Sequence, residues 1–125
     1  MNVMVQADAI RVAILNKCGG IWMDADNVII NGDFLKRFNN AELGMIIDKK
    51  TSCPFIGFIF ASKYSIILKD WLKQIINRVK IFKKIIQNKQ NTTKWIESWK
   101  NVDTWYYLVN GILNSLIKNN TDKNF

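Results

Sequence analysis

The sequence predicts a small α/β domain. Two observations carry that expectation. Three stretches, residues 3–17, 66–86 and 95–117, repeat apolar residues near a 3.6-residue period, while short apolar runs at 21–23, 43–47 and 55–60 are bounded by turn formers. The 125 residues, 49% hydrophobic and 22% charged, suffice for one core and have the composition of a folded protein.

The first helix is expected from Val3 to Lys17, with Val5, Ala9, Ile10, Ala13 and Ile14 as its apolar stripe. Asp8 and Arg11 are three residues apart and therefore lie on adjacent turns of one face. Gly19 and Gly20 form the structural turn, because glycine adopts the left-handed backbone that ends a helix. Ile21, Trp22 and Met23 read as a short buried strand. Were the chain to stay extended, Asp24 and Asp26 would project to the same side with Ala25 opposite. Two neighbouring carboxylates repel, and a divalent cation relieves that repulsion. Mg2+ and Mn2+ suit such a site, since they take oxygen ligands, often one or two carboxylates with substrate phosphates. The alternative reading is structural: Asp24 and Asp26 as a polar strand end opening a turn, and Asp8 with Arg11 as an exposed helical ion pair.

Asn27 to Ile30 is expected to continue as strand, with residues 31–33 turning and Phe34 to Phe38 forming a helical turn. Leu43 to Ile47 and Phe55 to Phe60 form two strands around a polar turn at Lys49 to Ser52. Ile66 to Ile86 is a helix with Trp71, Leu72, Ile75, Ile76, Val79, Phe82 and Ile86 on one side. Asn88 to Thr93 connects it to a last helical region, Trp95 to Ile117, where Trp99, Val102, Tyr106, Val109, Leu113 and Leu116 share a face. Residues 1–117 thus form a single domain and 118–125 a polar tail. No repeat is present.

Several classes of chemistry are excluded by composition. The chain has no histidine, so its residues build neither a serine-type triad nor a histidine zinc site. Cys18 and Cys53 match no metal or redox spacing and fit a reducing compartment. No apolar run approaches the ~20 residues of a membrane span, and the start lacks a signal-peptide pattern, so a cytoplasmic location is expected.

The formal charge of +8 is concentrated in the 66–86 helix through Lys69, Lys73, Arg78, Lys80, Lys83 and Lys84. A basic amphipathic helix suits either an ordinary solvated face or peripheral contact with the inner, anionic surface of the cell membrane. Nucleic acid is not expected as a partner, because the basic residues are not interleaved with aromatics in a binding motif.

The residues Ala7, Asp8 and Arg11, followed by Gly19, Gly20, Ile21, Trp22, Met23, Asp24 and Asp26, resemble the signature of bacterial capsular polysaccharide synthesis proteins. They are also similar to the family 32 glycosyltransferases, which carry an Asp-x-x-Arg helix, a Gly-Gly turn and an Asp-x-Asp (DxD) strand. The resemblance spans Ala7 to Asp33 and implies a GT-A-like, Rossmann-like fold for nucleotide-diphospho-sugar transfer. It implies Asp26 as the main metal ligand, with Asp24 at the donor or at the metal through water. Asp8 and Arg11 would bind the donor's sugar hydroxyls, and Mn2+ or Mg2+ would be the cofactor. No catalytic nucleophile or base is identified.

Pro54 to Lys63 resembles an apolar strand of the same proteins, which often carry Asn near the place of Gly57. Trp99 with Thr104 to Asn110 resembles their late helix, with Asn110 where they have an acid. The implied partners are a nucleotide-sugar donor and a saccharide or lipid-linked acceptor of surface polysaccharide synthesis. In that family a Rossmann-like half precedes the Asp-x-x-Arg helix, whereas six residues precede Ala7 here. The expectation is therefore a partial GT-A-like fold lacking most of its N-terminal half. A noncatalytic remnant, binding another chain or an anionic membrane, is the alternative.

Overall fold

The computed structural model describes residues 3–87 and 111–121. Helix α1 (Val3–Cys18) leads through Gly19 into strand β1 (Gly20–Met23). A 3-10 helix (Gly32–Phe38) precedes strands β2 (Leu43–Ile47) and β3 (Pro54–Ala61). Two helices follow among the described residues, α2 (Ile66–Gln87) and α3 (Gly111–Thr121). The molecule is therefore mixed α/β, with a three-stranded antiparallel sheet in the order β1-β3-β2. The positions expected at Trp99, Val102, Tyr106, Val109 and Asn110 lie outside the described residues.

The sheet has two unlike faces because side chains alternate along each strand. Across the three strands Trp22 pairs with Ile59, and Ile59 with Met45, so this row faces the helices. There Ile56, Ile59 and Ala61 join Val5, Val12 and Leu15 of α1, Leu68, Trp71 and Ile75 of α2, and Ile112, Leu113 and Leu116 of α3. The opposite row holds Phe58 and Phe60, on which Phe34 and Phe38 of the 3-10 helix pack. The Phe38 and Phe60 rings stack with centroids 5.1 Å apart. Gly44 permits this, since a Cβ there would stand 2.3 Å from the Phe38 ring.

The hairpin between β2 and β3 closes on Asp48, whose carboxylate accepts from the Lys50 N–H and the Thr51 hydroxyl. At the start of α2, Ser65 acts as N-cap, its Oγ accepting from the Leu68 N–H at 3.0 Å. Among the described residues, no helix is long and apolar enough to cross a membrane.

Four expectations are corrected. Strand β1 is present but not buried, since Ile21 and Met23 are exposed and Trp22 alone of the three packs on the core. In α1 the buried face is Val5, Asp8, Arg11, Val12 and Leu15, whereas Ile10 and Ile14 are 54% and 46% exposed and Ala13 is exposed. Apolar residues lie all around this helix, so periodicity does not select a face; the inward partners of Asp8 and Arg11 do. Asn27 to Ile30 is not strand: the Asn27 N–H donates to the Asp24 carbonyl at 3.0 Å, which turns the chain away and leaves Val28 and Ile30 exposed. In α2, Leu68, Trp71 and Ile75 face the core as their spacing requires, but Ile76 is half outside at 45% exposure.

Candidate functional site

The site is assembled where α1, the end of β1 and the middle of β3 converge. Opposite Met45 and Ile46 the β2–β3 register slips, so that consecutive β2 residues pair with Ile59 and Phe55. Such a bulge redirects backbone groups out of the ladder. Two β3 carbonyls near this irregularity serve as acceptors in the site. Ile56 O accepts from Arg11 Nη1, and Gly57 O accepts from the Asp24 N–H at 2.9 Å and from Asn27 Nδ2 at 2.8 Å.

Arg11 is the centre of the arrangement. Its Nη2 lies 2.8 Å from Asp8 Oδ1 and its Nη1 lies 3.4 Å from Asp24 Oδ1. The side chains of Asp8 and Arg11 are 6% and 9% exposed, that of Asp24 35%. The expected one-face geometry of Asp8 and Arg11 is present, and the pair is buried rather than solvated. Arg11 also sits over the Trp22 ring, with Cζ 5.3 Å from its centroid, which places the cation against the negative face of the indole. Its Nε is buried with no hydrogen-bond partner among the described residues.

Asp24 is held from several sides. Trp22 Nε1 donates to Asp24 Oδ1 at 2.9 Å, and the Arg11 guanidinium approaches the same oxygen. Oδ2 faces Gly57, where an added Cβ would come within 2.9 Å of it. No described residue bonds Oδ2. Asp26 is exposed in the turn that follows. Strand β1 ends at Met23, so strand alternation does not aim Asp26 alongside Asp24, as the extended reading supposed; both belong to one turn instead. Gly19 and Gly20 have φ of +67° and +104°, as the expected structural turn requires.

Trp22, Asn27, Gly57 and the Ile56 carbonyl are members of the site that spacing did not single out. Trp22 carried a usable signal, since residues 22 and 24 share a side of an extended strand. The two carbonyls carried none.

Chemically, three carboxylates (Asp8, Asp24, Asp26) against one guanidinium leave a formal −2 in this corner of a basic protein. Among the described residues, no group of three or more Asp, Glu, Cys or His could hold a metal ion. Asp24 and Asp26 are two carboxylates of one turn, fewer ligands than an all-protein cation cage needs.

An apolar cleft of about 320 Å³ opens beside the same turn, lined by Met23, Val28, Ile30, Phe34, Ile46 and Phe58. Helix α2 presents exposed Lys69, Lys73, Lys80, Lys83 and Lys84, interspersed with exposed Ile66, Ile76 and Ile81. Cys18 and Cys53 are free thiols. No family model matches the chain, and no curated protein or solved structure is significantly similar to it.

Proposed function

We propose that the chain is the donor-binding part of a metal-assisted glycosyltransferase with a GT-A-like fold, acting in surface polysaccharide synthesis. The observation that carries this reading is the junction of α1 and β1 through Arg11, which holds both Asp8 and Asp24 while Asp26 stands exposed in the adjoining turn. A buried cation between two carboxylates fixes the Asp24 side chain without filling Oδ2. Asp26, with Asp24 beside it, would hold Mn2+ or Mg2+, the other positions being taken by donor phosphates and water. The bound metal supplies Lewis-acid stabilisation of a diphosphate leaving group. Arg11 and Asp8 order the wall against which a donor sugar would lie, and the acceptor, a saccharide or lipid-linked saccharide, would approach from the open side of the turn.

The test is thermal unfolding of the protein with Mn2+ and a panel of nucleotide sugars. Binding to the folded state raises the midpoint by mass action, and Asp26→Ala should abolish the rise while leaving the unliganded midpoint near that of wild type. No shift with any member of the panel would overturn the reading.

A second reading is a noncatalytic chain that rests on an anionic membrane or another protein. It is favoured by the outer face of α2, where five exposed lysines stand with three exposed isoleucines. Nucleotide-sugar binding in the thermal-unfolding test separates the two readings, since a noncatalytic chain that only rests on a surface would show none.

A further inference from the structure

We infer that Trp22 is a positioning residue for Asp24: its indole N–H holds Oδ1, so that Oδ2 alone is presented to a ligand. This rests on the reading of the Asp24 turn as a metal–diphosphate site.

The geometry has three independent parts. Trp22 Nε1 donates to Asp24 Oδ1 at 2.9 Å, a partly buried bond between residues on the same side of the chain. The Trp22 ring is fixed in turn by the core beneath it, where Trp22 packs against the cluster containing Ile59 and Leu15, and by Arg11 at 5.3 Å. The other oxygen lies over Gly57, where an added Cβ would stand 2.9 Å from Oδ2 and 2.3 Å from the Phe55 ring. A carboxylate free to rotate could turn both oxygens toward Arg11 and close on it as a bidentate pair. The indole N–H competes for Oδ1 and opposes that rotation. Trp22 therefore keeps one oxygen of Asp24 outside the buried ion-pair network. It touches neither metal nor substrate, and its effect on binding passes through Asp24. Losing the N–H would leave the aromatic packing in place and let Asp24 turn inward.

The experiment uses the whole chain with its tryptophan indoles 15N-labelled, the Trp22 resonance being assigned by its loss in Trp22→Phe. The probe is Mn2+ with inorganic pyrophosphate. In wild type, paramagnetic broadening should strike the Trp22 indole resonance before that of Trp71, which is enclosed in the core. Trp22→Phe, which keeps a ring, should fold with an unchanged circular dichroism spectrum and bind Mn2+–pyrophosphate at least tenfold more weakly. Asp24→Asn should weaken binding likewise and shift the Trp22 indole resonance even without probe. If Asp24→Asn weakens binding while Trp22→Phe binds like wild type, the positioning role is wrong and the metal reading stands. If wild type neither binds the probe nor shows broadening, the metal reading falls and this inference falls with it. Loss of thermal stability in Trp22→Phe with intact probe affinity would also overturn the inference, since that is what a purely structural ring would give.

Discussion

Arg11 Nη1 donates to the backbone carbonyl of Ile56, a bond that spans 45 positions of sequence and ties α1 to the bulged middle of β3. The same guanidinium neutralises Asp8 within its own helix. Removing it would take the charged partner from a buried carboxylate and this donor from the Ile56 carbonyl.

Arg11→Met is therefore expected to cost about 3 kcal/mol or more, the usual consequence of leaving half of a buried ion pair. Asp8→Leu combined with Arg11→Met should recover part of that loss, because the uncompensated charge is gone. Urea unfolding of the single and double variants checks this. A double variant no more stable than Arg11→Met would show that the Asp8 charge is not the source of the cost.

Gly19 ends α1 with its N–H on the Leu15 carbonyl at 2.7 Å and φ at +67°. A Cβ there would stand 2.7 Å from the Lys63 backbone nitrogen, which cannot rotate away as a side chain can. Gly19→Ala should lower stability by more than ~1 kcal/mol. Asn tolerates the left-handed backbone, yet Gly19→Asn should not restore stability, since its Cβ meets the same nitrogen. Recovery of wild-type stability in the Asn variant would mean that φ alone is limiting.

Glu42 couples β2 to the start of α2: its Oε1 accepts from the Ile67 N–H at 2.8 Å and from Ser65 Oγ at 3.1 Å. Ser65→Ala should cost about 1 kcal/mol through the lost cap. In a double-mutant cycle with Glu42→Ala the two losses should fall short of additivity by at least ~0.5 kcal/mol. Strict additivity would refute a shared network.

The outer face of α2 predicts salt-sensitive adsorption to anionic vesicles. Sedimentation with vesicles containing anionic lipid should retain the protein at low ionic strength and release it as salt shortens the screening length. Charge reversal at Lys69, Lys73 and Lys80 should reduce retention severalfold. Equal retention by neutral vesicles would assign the binding to something other than these lysines.

Much of the fold was legible in the sequence because its signals are local. The turn at Lys49 to Ser52 is present, with Ser52 at φ +54°. Strands β2 and β3 and helix α2 lie within a residue or so of their expected limits. The free thiols and the turn at Gly19 and Gly20 also follow the expectation. Asn27 to Ile30 was not legible as a loop, since three apolar residues in a row look like strand. The turn made by the Asn27 N–H on the Asp24 carbonyl diverts them, and the Asn27 side chain anchors that turn on the Gly57 carbonyl, 30 positions away in sequence. The inward face of α1 was hidden for a related reason. Ile10 and Ile14 are more apolar than Asp8 and Arg11, but the latter pair is compensated inside by each other, Asp24 and a carbonyl.

By itself, the sequence determined the elements of this protein and the local pairings within them. These include Asp8 with Arg11 at helical spacing, because helix periodicity sets it, whereas the bond from Trp22 to Asp24 was not singled out. Only the tertiary structure decided that the two pairs meet on one carboxylate oxygen, and that Asp26 leaves the strand for a turn. The physical reason lies in the middle of β3, where the Ile56 carbonyl accepts from Arg11 and the Gly57 carbonyl from Asp24 and Asn27, all remote in sequence. Every residue carries a carbonyl, so folding rather than residue type selects the ones that build the site.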